Sequence, residues 1–203
     1  MINPSQLSKN KIIDPEFLIT AYVSGYFPMA ESRDGGIGWY SPDPRAIIPL
    51  DGLKISRSLK QTLKKNIFEI RLNTCFEEVI SCCAGRKDTW ISEEIVQSYL
   101  ELHQLGYAHC VEAWKDNQLA GGLYGVALGA AFFGESMFSR MRDASKVALV
   151  YLVELLREKK FELLDTQFIT PHLERIGAIE ISRDEYLYRL KRALGKERTM
   201  MEF

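Results

Sequence analysis

Two short stretches place polar, chemistry-bearing side chains inside apolar surroundings. Glu135 follows the doubled aromatic Phe132-Phe133 and precedes Met137-Phe138, in a segment with strand-like apolar content. A carboxyl buried there requires hydrogen-bond donors or a cation, and can then bind a cationic substrate or take a proton; at a sheet edge it simply meets water. Asp165-Thr166-Gln167 closes a second apolar run. The two-residue period of a strand turns Asp165 and Gln167 to one side and Thr166 to the other, so one acid and one amide face the same place.

A third cluster is cationic. Lys54, Arg57, Lys60, Lys64 and Lys65 occur within Lys54 to Lys65 without one acid. On a helix Arg57, Lys60 and Lys64 are spaced three and four apart and share a face. Such a face is either simply solvated or lies along a phosphate backbone, where neutralised phosphates release counterions. Other chemistries have no matching pattern. Gly121, Gly122, Gly125 and Gly129 follow no phosphate-cradle spacing, and no nucleophile-elbow motif occurs. Cys75, Cys82, Cys83 and Cys110 form no CxxC pair, and His103, His109 and His172 are widely spread, so spacing proposes neither metal site nor disulfide framework.

The elements that must position these residues are legible from caps and periodicity. Asp14-Pro15-Glu16 predicts a helix through Tyr22 that stops near Gly25, after a polar arm running to about Lys11. The glycines and prolines between Glu31 and Pro49 predict turns alternating with short extended pieces. Ser56 caps a helix over Arg57 to Lys65; further helices are expected over Thr74 to Cys83 and from Ser92 to Leu105. Three consecutive strands follow, Ala108 to Lys115, Gln118 to Leu128 and Ala130 to Phe138, with Asp116-Asn117 as a hairpin turn. A long, largely buried helix over Ala144 to Lys159, a strand over Phe161 to Gln167, a short helix at Pro171 to Ile176 and a final helix from Ser182 to Leu194 complete the reading. The composition shift near Tyr107 divides a helix-rich part, residues 1–106, from a strand-rich part, 107–203, with early residues able to contribute a strand to the later sheet.

The chain has 203 residues, 46% of them hydrophobic, with a net charge of −1. That supplies a real core and argues against disorder, and it excludes an overall basic character, so a nucleic-acid partner is met by a local patch. No apolar run reaches membrane-span length and the polar start lacks a signal-peptide core, so a cytoplasmic location is expected.

The strings Gly25-Tyr-Phe-Pro-Met29, Trp39-Tyr-Ser-Pro-Asp-Pro-Arg45, Thr89-Trp-Ile91, His109-Cys-Val-Glu-Ala-Trp114, Gly121-Gly-Leu-Tyr-Gly125, Phe133-Gly-Glu-Ser-Met-Phe-Ser139 and Leu164-Asp-Thr-Gln167 occur in this order. Together they resemble the leucyl/phenylalanyl-tRNA–protein transferase family. The resemblance implies an α+β fold, a small N-terminal domain plus a C-terminal domain like the GNAT acyltransferases, with a mixed sheet flanked by helices. It implies transfer of Leu or Phe, and less readily Met, from Leu-tRNA or Phe-tRNA to proteins with N-terminal Arg or Lys, marking them for N-degron-dependent degradation. It implies a cytoplasmic monomer with no metal and no cofactor.

By motif position, the resemblance makes Trp39, Trp90, Leu123 and Phe132 the walls of an aminoacyl side-chain pocket and Arg57, Lys60, Lys64 and Lys65 a tRNA-binding surface. Glu135, Asp165 and Gln167 become the catalytic set, with Gln167 oriented by Asp165 and the carboxylates attracting the acceptor's terminal Arg or Lys. The competing readings are a coenzyme A-dependent N-acyltransferase and a non-enzymatic tRNA-binding module. The first usually binds pyrophosphate with a Gly-rich loop, whereas Ser139-Arg-Met-Arg-Asp-Ala-Ser145 has two arginines and no glycine; the second leaves Glu135 and Asp165-x-Gln167 unexplained.

Overall fold

The computed structural model describes residues 12–33, 35–86 and 89–200, so the polar arm expected before residue 12 lies outside the described residues. α1 (Pro15–Val23) leads into a two-stranded ribbon, β1 (Phe27–Ala30) and β2 (Ile37–Tyr40), followed by β3 (Arg45–Ile47), α2 (Arg57–Lys64) and β4 (Glu69–Leu72). α3 (Phe76–Ala84) and α4 (Glu93–Gln104) precede the antiparallel meander β5 (Ala108–Lys115), β6 (Gln118–Leu128) and β7 (Ala131–Ser139). α5 (Ala144–Glu158), β8 (Leu163–Gln167), α6 (Pro171–Arg175), β9 (Ile179–Ile181) and α7 (Arg183–Leu194) complete the chain.

The helices begin where their caps predict. Side chains of Asp14, Ser56, Ser92 and Ser182 accept from the amides of Phe17, Leu59, Ile95 and Glu185 at 2.9, 3.2, 3.3 and 3.3 Å. α3 uses a different device: Cys75 makes no side-chain cap bond, and Glu112 of β5 accepts from the amides of Thr74 and Cys75 at 2.7 and 3.1 Å. A fully buried carboxylate thus serves as the cap of a neighbouring helix, where the helix dipole favours it. The Asp116-Asn117 hairpin turn holds both residues at positive φ, 50° and 58°.

The main sheet runs β4-β5-β6-β7-β8-β3-β9, and only β7 and β8 pair in parallel. α5 is the crossover that a parallel pair requires. Two strands from before Tyr107, β3 and β4, enter this sheet, so the composition shift does not mark its edge. The class is α+β, a mixed sheet with helices on both faces. Gly121 would put a Cβ 2.7 Å from Ala144 Cβ, and Gly122 would put one 3.5 Å from Val79 Cγ2, which places α5 on one face and α3 on the other. Around α5 lies an apolar cluster with Leu123, Phe132, Leu149, Leu152 and Leu164; around α1, α3 and α4 lies another with Leu18, Tyr22, Phe76, Ile95 and Tyr99. No helix among the described residues is long and apolar enough to cross a membrane.

Candidate active site

Two bulges in neighbouring strands build the site. Tyr124 faces Ser136 and Gly125 faces Gly134, so Glu135 is the extra residue of β7. Ala46 faces Gln167 and Ile47 faces Asp165, so Thr166 is the extra residue of β8. Each bulge re-aims the side chains beside it. Pairing between β7 and β8 also ends at Phe133 and Asp165, while β7 continues to Ser139. Beyond that point the strands part, and a cavity of about 300 Å³ opens between them.

The cavity draws walls from both faces of the sheet. Ile48, Leu123, Leu149, Leu152 and Leu164 come from the α5 side; Phe27, Met29, Trp90 and Tyr124 come from the other. Glu135, Gln167, Ser136, Thr166, Arg86 and His172 are polar exceptions in this lining. The site is an apolar pocket with a few convergent polar groups, the usual form of a small-molecule site.

Glu135 is buried, 8% exposed. Its Oε1 accepts from the Tyr22 hydroxyl at 2.7 Å and from Gln167 Nε2 at 3.3 Å, and Tyr22 in turn shares a short hydrogen bond with Tyr99. Burial pushes the Glu135 carboxyl up to about 8 and the nearby Asp165 charge adds to this, while the tyrosine hydrogen bonds and Arg45 pull it down. Burial also lifts Tyr22, Tyr99 and Tyr124 well above the ordinary phenol value, so all three stay neutral. The Tyr124 hydroxyl lies buried on the cavity wall with no hydrogen-bond partner among the described residues.

Gln167 sits at φ 59°, a left-handed conformation that costs a side-chain-bearing residue of order 1–3 kcal/mol and persists where its surroundings impose it. Two contacts impose it here. Its amide donates to Asp165 Oδ1 at 2.9 Å, and Phe168 N–H donates to the Thr166 carbonyl at 2.8 Å across it. The simple strand period therefore fails at this point. Gln167 turns into the cavity with Leu164 and Thr166, whereas Asp165 lies fully buried outside its lining.

Asp165 is occupied by Arg45. Arg45 Nε and Nη2 donate to its two oxygens at 3.0 and 2.6 Å, and Tyr186 adds a bond at 2.8 Å. Both charged side chains are 0% exposed. The guanidinium also donates to the Gly25 carbonyl at 3.1 Å and lies 4.4 and 4.7 Å from the ring centroids of Tyr186 and Phe27. The reading of Asp165 as an attractor for a substrate cation is corrected accordingly, because Arg45 neutralises it.

The expected pocket residues divide. Trp90 and Leu123 line the cavity. Phe132 is fully buried in the apolar cluster that contains Leu123, outside the lining, and Trp39 stands across the ribbon from Pro28 with its ring edge-on to Phe17, 5.1 Å between centroids. Arg57, Lys60 and Lys64 are exposed along α2 and Lys65 is its exposed C-cap, while Leu59 turns inward; α2 packs on α5. Sequence reasoning missed Arg45 and the tyrosines Tyr22, Tyr99, Tyr124 and Tyr186. A charge opening the apolar run Ala46-Ile47-Ile48 was an available signal for Arg45; the tyrosines carry none, since nothing local ties them to Glu135.

Comparison with known proteins agrees over nearly the whole chain. A family model described as Leucyl/phenylalanyl-tRNA protein transferase matches residues 47–191, and one for the N-terminal domain of the same family matches residues 12–43. Leucyl/phenylalanyl-tRNA–protein transferases from Herpetosiphon aurantiacus, Gloeobacter violaceus and Chlorobaculum parvum are 56%, 54% and 53% identical over 91%, 90% and 92% of this chain and 96%, 95% and 98% of their own lengths. Among solved structures, L-PGS from Bacillus licheniformis overlaps 78% of this chain and 55% of its own at 14% identity, with a TM-score of 0.41. The class is therefore that of the aminoacyltransferases. Within it, this chain belongs to the leucyl/phenylalanyl-tRNA–protein transferase family.

Proposed function

We propose that this protein moves Leu or Phe, and less readily Met, from Leu-tRNA or Phe-tRNA to the N-terminal Arg or Lys of acceptor proteins. It works in the cytoplasm, as a monomer and without a cofactor, and the added residue marks the acceptor for N-degron-dependent degradation. The observation that carries the reading is the apolar cavity of about 300 Å³ ending on the Glu135–Gln167 pair. Leu, Phe and Met are unbranched at Cβ, and a pocket of leucines, methionine and tryptophan separates them weakly, since each methylene is worth only about 1–3 kcal/mol.

The reaction is aminolysis of an ester. The acceptor nitrogen attacks the ester carbonyl; a C–N bond forms, the C–O bond to the ribose breaks, and the nitrogen's proton passes to the ribose oxygen. An α-amine titrates at about 7.7–8.0, and the Glu135 carboxyl, held at about 8, is matched to carry that proton. Gln167 keeps one Nε2 proton on Glu135 and offers the other to the ester oxygen as negative charge develops there. Asp165 acts through Gln167 by fixing its backbone. The aminoacyl ester is already activated, so holding amine and ester together supplies much of the acceleration without a covalent intermediate. The cations of α2 run along the acceptor stem of the tRNA.

The test mixes the protein with labelled Leu-tRNA or Phe-tRNA and peptides that begin with Arg, Lys or Ala. Label entering only the Arg and Lys peptides is the expected result. No transfer from either tRNA, by protein with an intact thermal transition, contradicts the proposal and directs the next assay to acyl-coenzyme A.

A further inference from the structure

Among the described residues, two buried side-chain polar atoms have no hydrogen-bond partner, Tyr124 Oη and Thr166 Oγ1. Both residues line the apolar cavity, one from β6 and the other from the bulge of β8. Buried hydroxyls are nearly always paired and a bare one is costly, so two around a single cavity point to a ligand that completes them.

Tyr124 stands on the same side of the sheet as Glu135. Its ring packs edge-on against Phe76 of α3 and Tyr99 of α4, 5.8 and 5.6 Å between centroids, and Tyr99 shares a hydrogen bond with Tyr22, the residue that donates to Glu135. Across the strands Tyr124 faces Ser136, the residue after Glu135. The polar groups around it are engaged elsewhere. Ser136 Oγ accepts from Arg86 Nη2 at 2.7 Å, Arg86 Nε donates to the Cys83 carbonyl at 3.1 Å, and Glu135 Oε1 is taken by Tyr22 and Gln167. Burial keeps the phenol neutral, with an oxygen able to accept.

Aminolysis makes a demand that these groups leave unmet. An attacking primary amine must aim its lone pair at the ester carbonyl, which turns its two N–H bonds away from the carbonyl, and in a buried site each needs an acceptor. Glu135, the base, accepts one. Gln167 Nε2 is a donor and Asp165 is enclosed by Arg45, so neither takes the other. We propose that the Tyr124 hydroxyl accepts the second hydrogen of the attacking amine and so aims its lone pair at the ester. The inference rests on the transferase reading above and deepens it on the acceptor side of the site. Tyr124 gains no proton in the reaction: the proton that leaves the nitrogen passes to Glu135 and on to the ribose oxygen, as already described. An N-methylated amine, with a single hydrogen, keeps only the Glu135 contact, so the site reads its nucleophile as a primary amine. Thr166, from the neighbouring strand β8, carries the rival hydroxyl, and the experiment separates the two.

Single-turnover transfer from saturating Phe-tRNA is measured to a peptide with N-terminal Arg and to the same peptide with N-methyl-Arg, in wild type, Tyr124→Phe and Thr166→Val. The ratio of the two rates, primary over N-methyl, is expected to fall about 10-fold in Tyr124→Phe. The urea midpoint of that variant is expected to stay or to rise, because the change removes an unpaired hydroxyl and breaks no bond. A wild-type ratio in Tyr124→Phe, whatever the absolute rates, overturns the proposal, since Tyr124 then acts on something other than the amine hydrogen. A lowered midpoint also overturns it, by showing the hydroxyl to be paired within the fold. A ratio that falls in Thr166→Val and not in Tyr124→Phe gives the role to Thr166 and overturns it as well. Wild type that transfers to neither peptide sinks the transferase reading and this proposal with it, whereas active wild type with an unchanged ratio in Tyr124→Phe sinks the proposal alone.

Discussion

Arg45 and Asp165, 120 residues apart in sequence, form a two-pronged ion pair with neither side chain exposed, and Asp165 in turn holds the backbone of Gln167. The strand that enters the sheet from the N-terminal part of the chain therefore fixes the polar end of the cavity. Asp165→Asn is expected to lower stability by about 3–5 kcal/mol, since it leaves a buried guanidinium without its charge partner. Urea unfolding should show Arg45→Met/Asp165→Leu to be more stable than either single change. Transfer should stay low in the double variant, because Gln167 has still lost its backbone acceptor.

Glu135 makes stability depend on pH, with a definite sign. Its folded carboxyl is raised from 4.5 to about 8, so the native state binds more protons than the unfolded chain throughout that interval. The stabilisation is present at acid pH and is lost as pH rises toward 8, at no more than about 1.4 kcal/mol per pH unit. Denaturant unfolding at about pH 5 and pH 8 should show this slope in wild type and a flatter one in Glu135→Gln.

The elements were far more legible than the site. Four side-chain caps and the hairpin turn are local chemistry, and the sequence placed the long helices and the meander within a few residues. β3, β4 and β9, of three or four residues, have no periodicity to read; β4 and β9 exist because the sheet edges accept them, and β3 because β8 and β9 pair with it on either side. Glu135 and Gln167 stood out as polar residues in apolar runs, yet their directions did not follow, since a bulge shifts the alternation by one and is set by pairing across strands. Trp39 and Phe132, expected on the pocket wall by motif position, stand outside the cavity lining.

Leu123 lies on the cavity wall and is 3% exposed. Leu123→Ala should enlarge the pocket and raise the ratio of Phe to Leu transfer by several-fold, about 1 kcal/mol, measured as the ratio of the two kcat/KM values in competition. The same change should cost about 2–5 kcal/mol of stability, so the ratio and not the absolute rate is the readout.

The cationic face of α2 should reveal itself through salt. Arg57→Ala/Lys60→Ala is expected to raise KM for aminoacyl-tRNA and to reduce the slope of log KM against log salt by about 0.9 for each phosphate no longer neutralised. A slope equal to that of wild type would show these side chains to be merely solvated.

The central claim is that the Glu135–Gln167 pair at the end of the cavity performs the transfer. Single-turnover transfer from Phe-tRNA to an Arg-initiated peptide, in wild type, Gln167→Met and Glu135→Gln, tests it most directly. Both variants should bind the donor within about 2-fold of wild type, while the chemical step falls by about 10² or more. Rates equal to wild type in both, with donor saturating, would contradict the account.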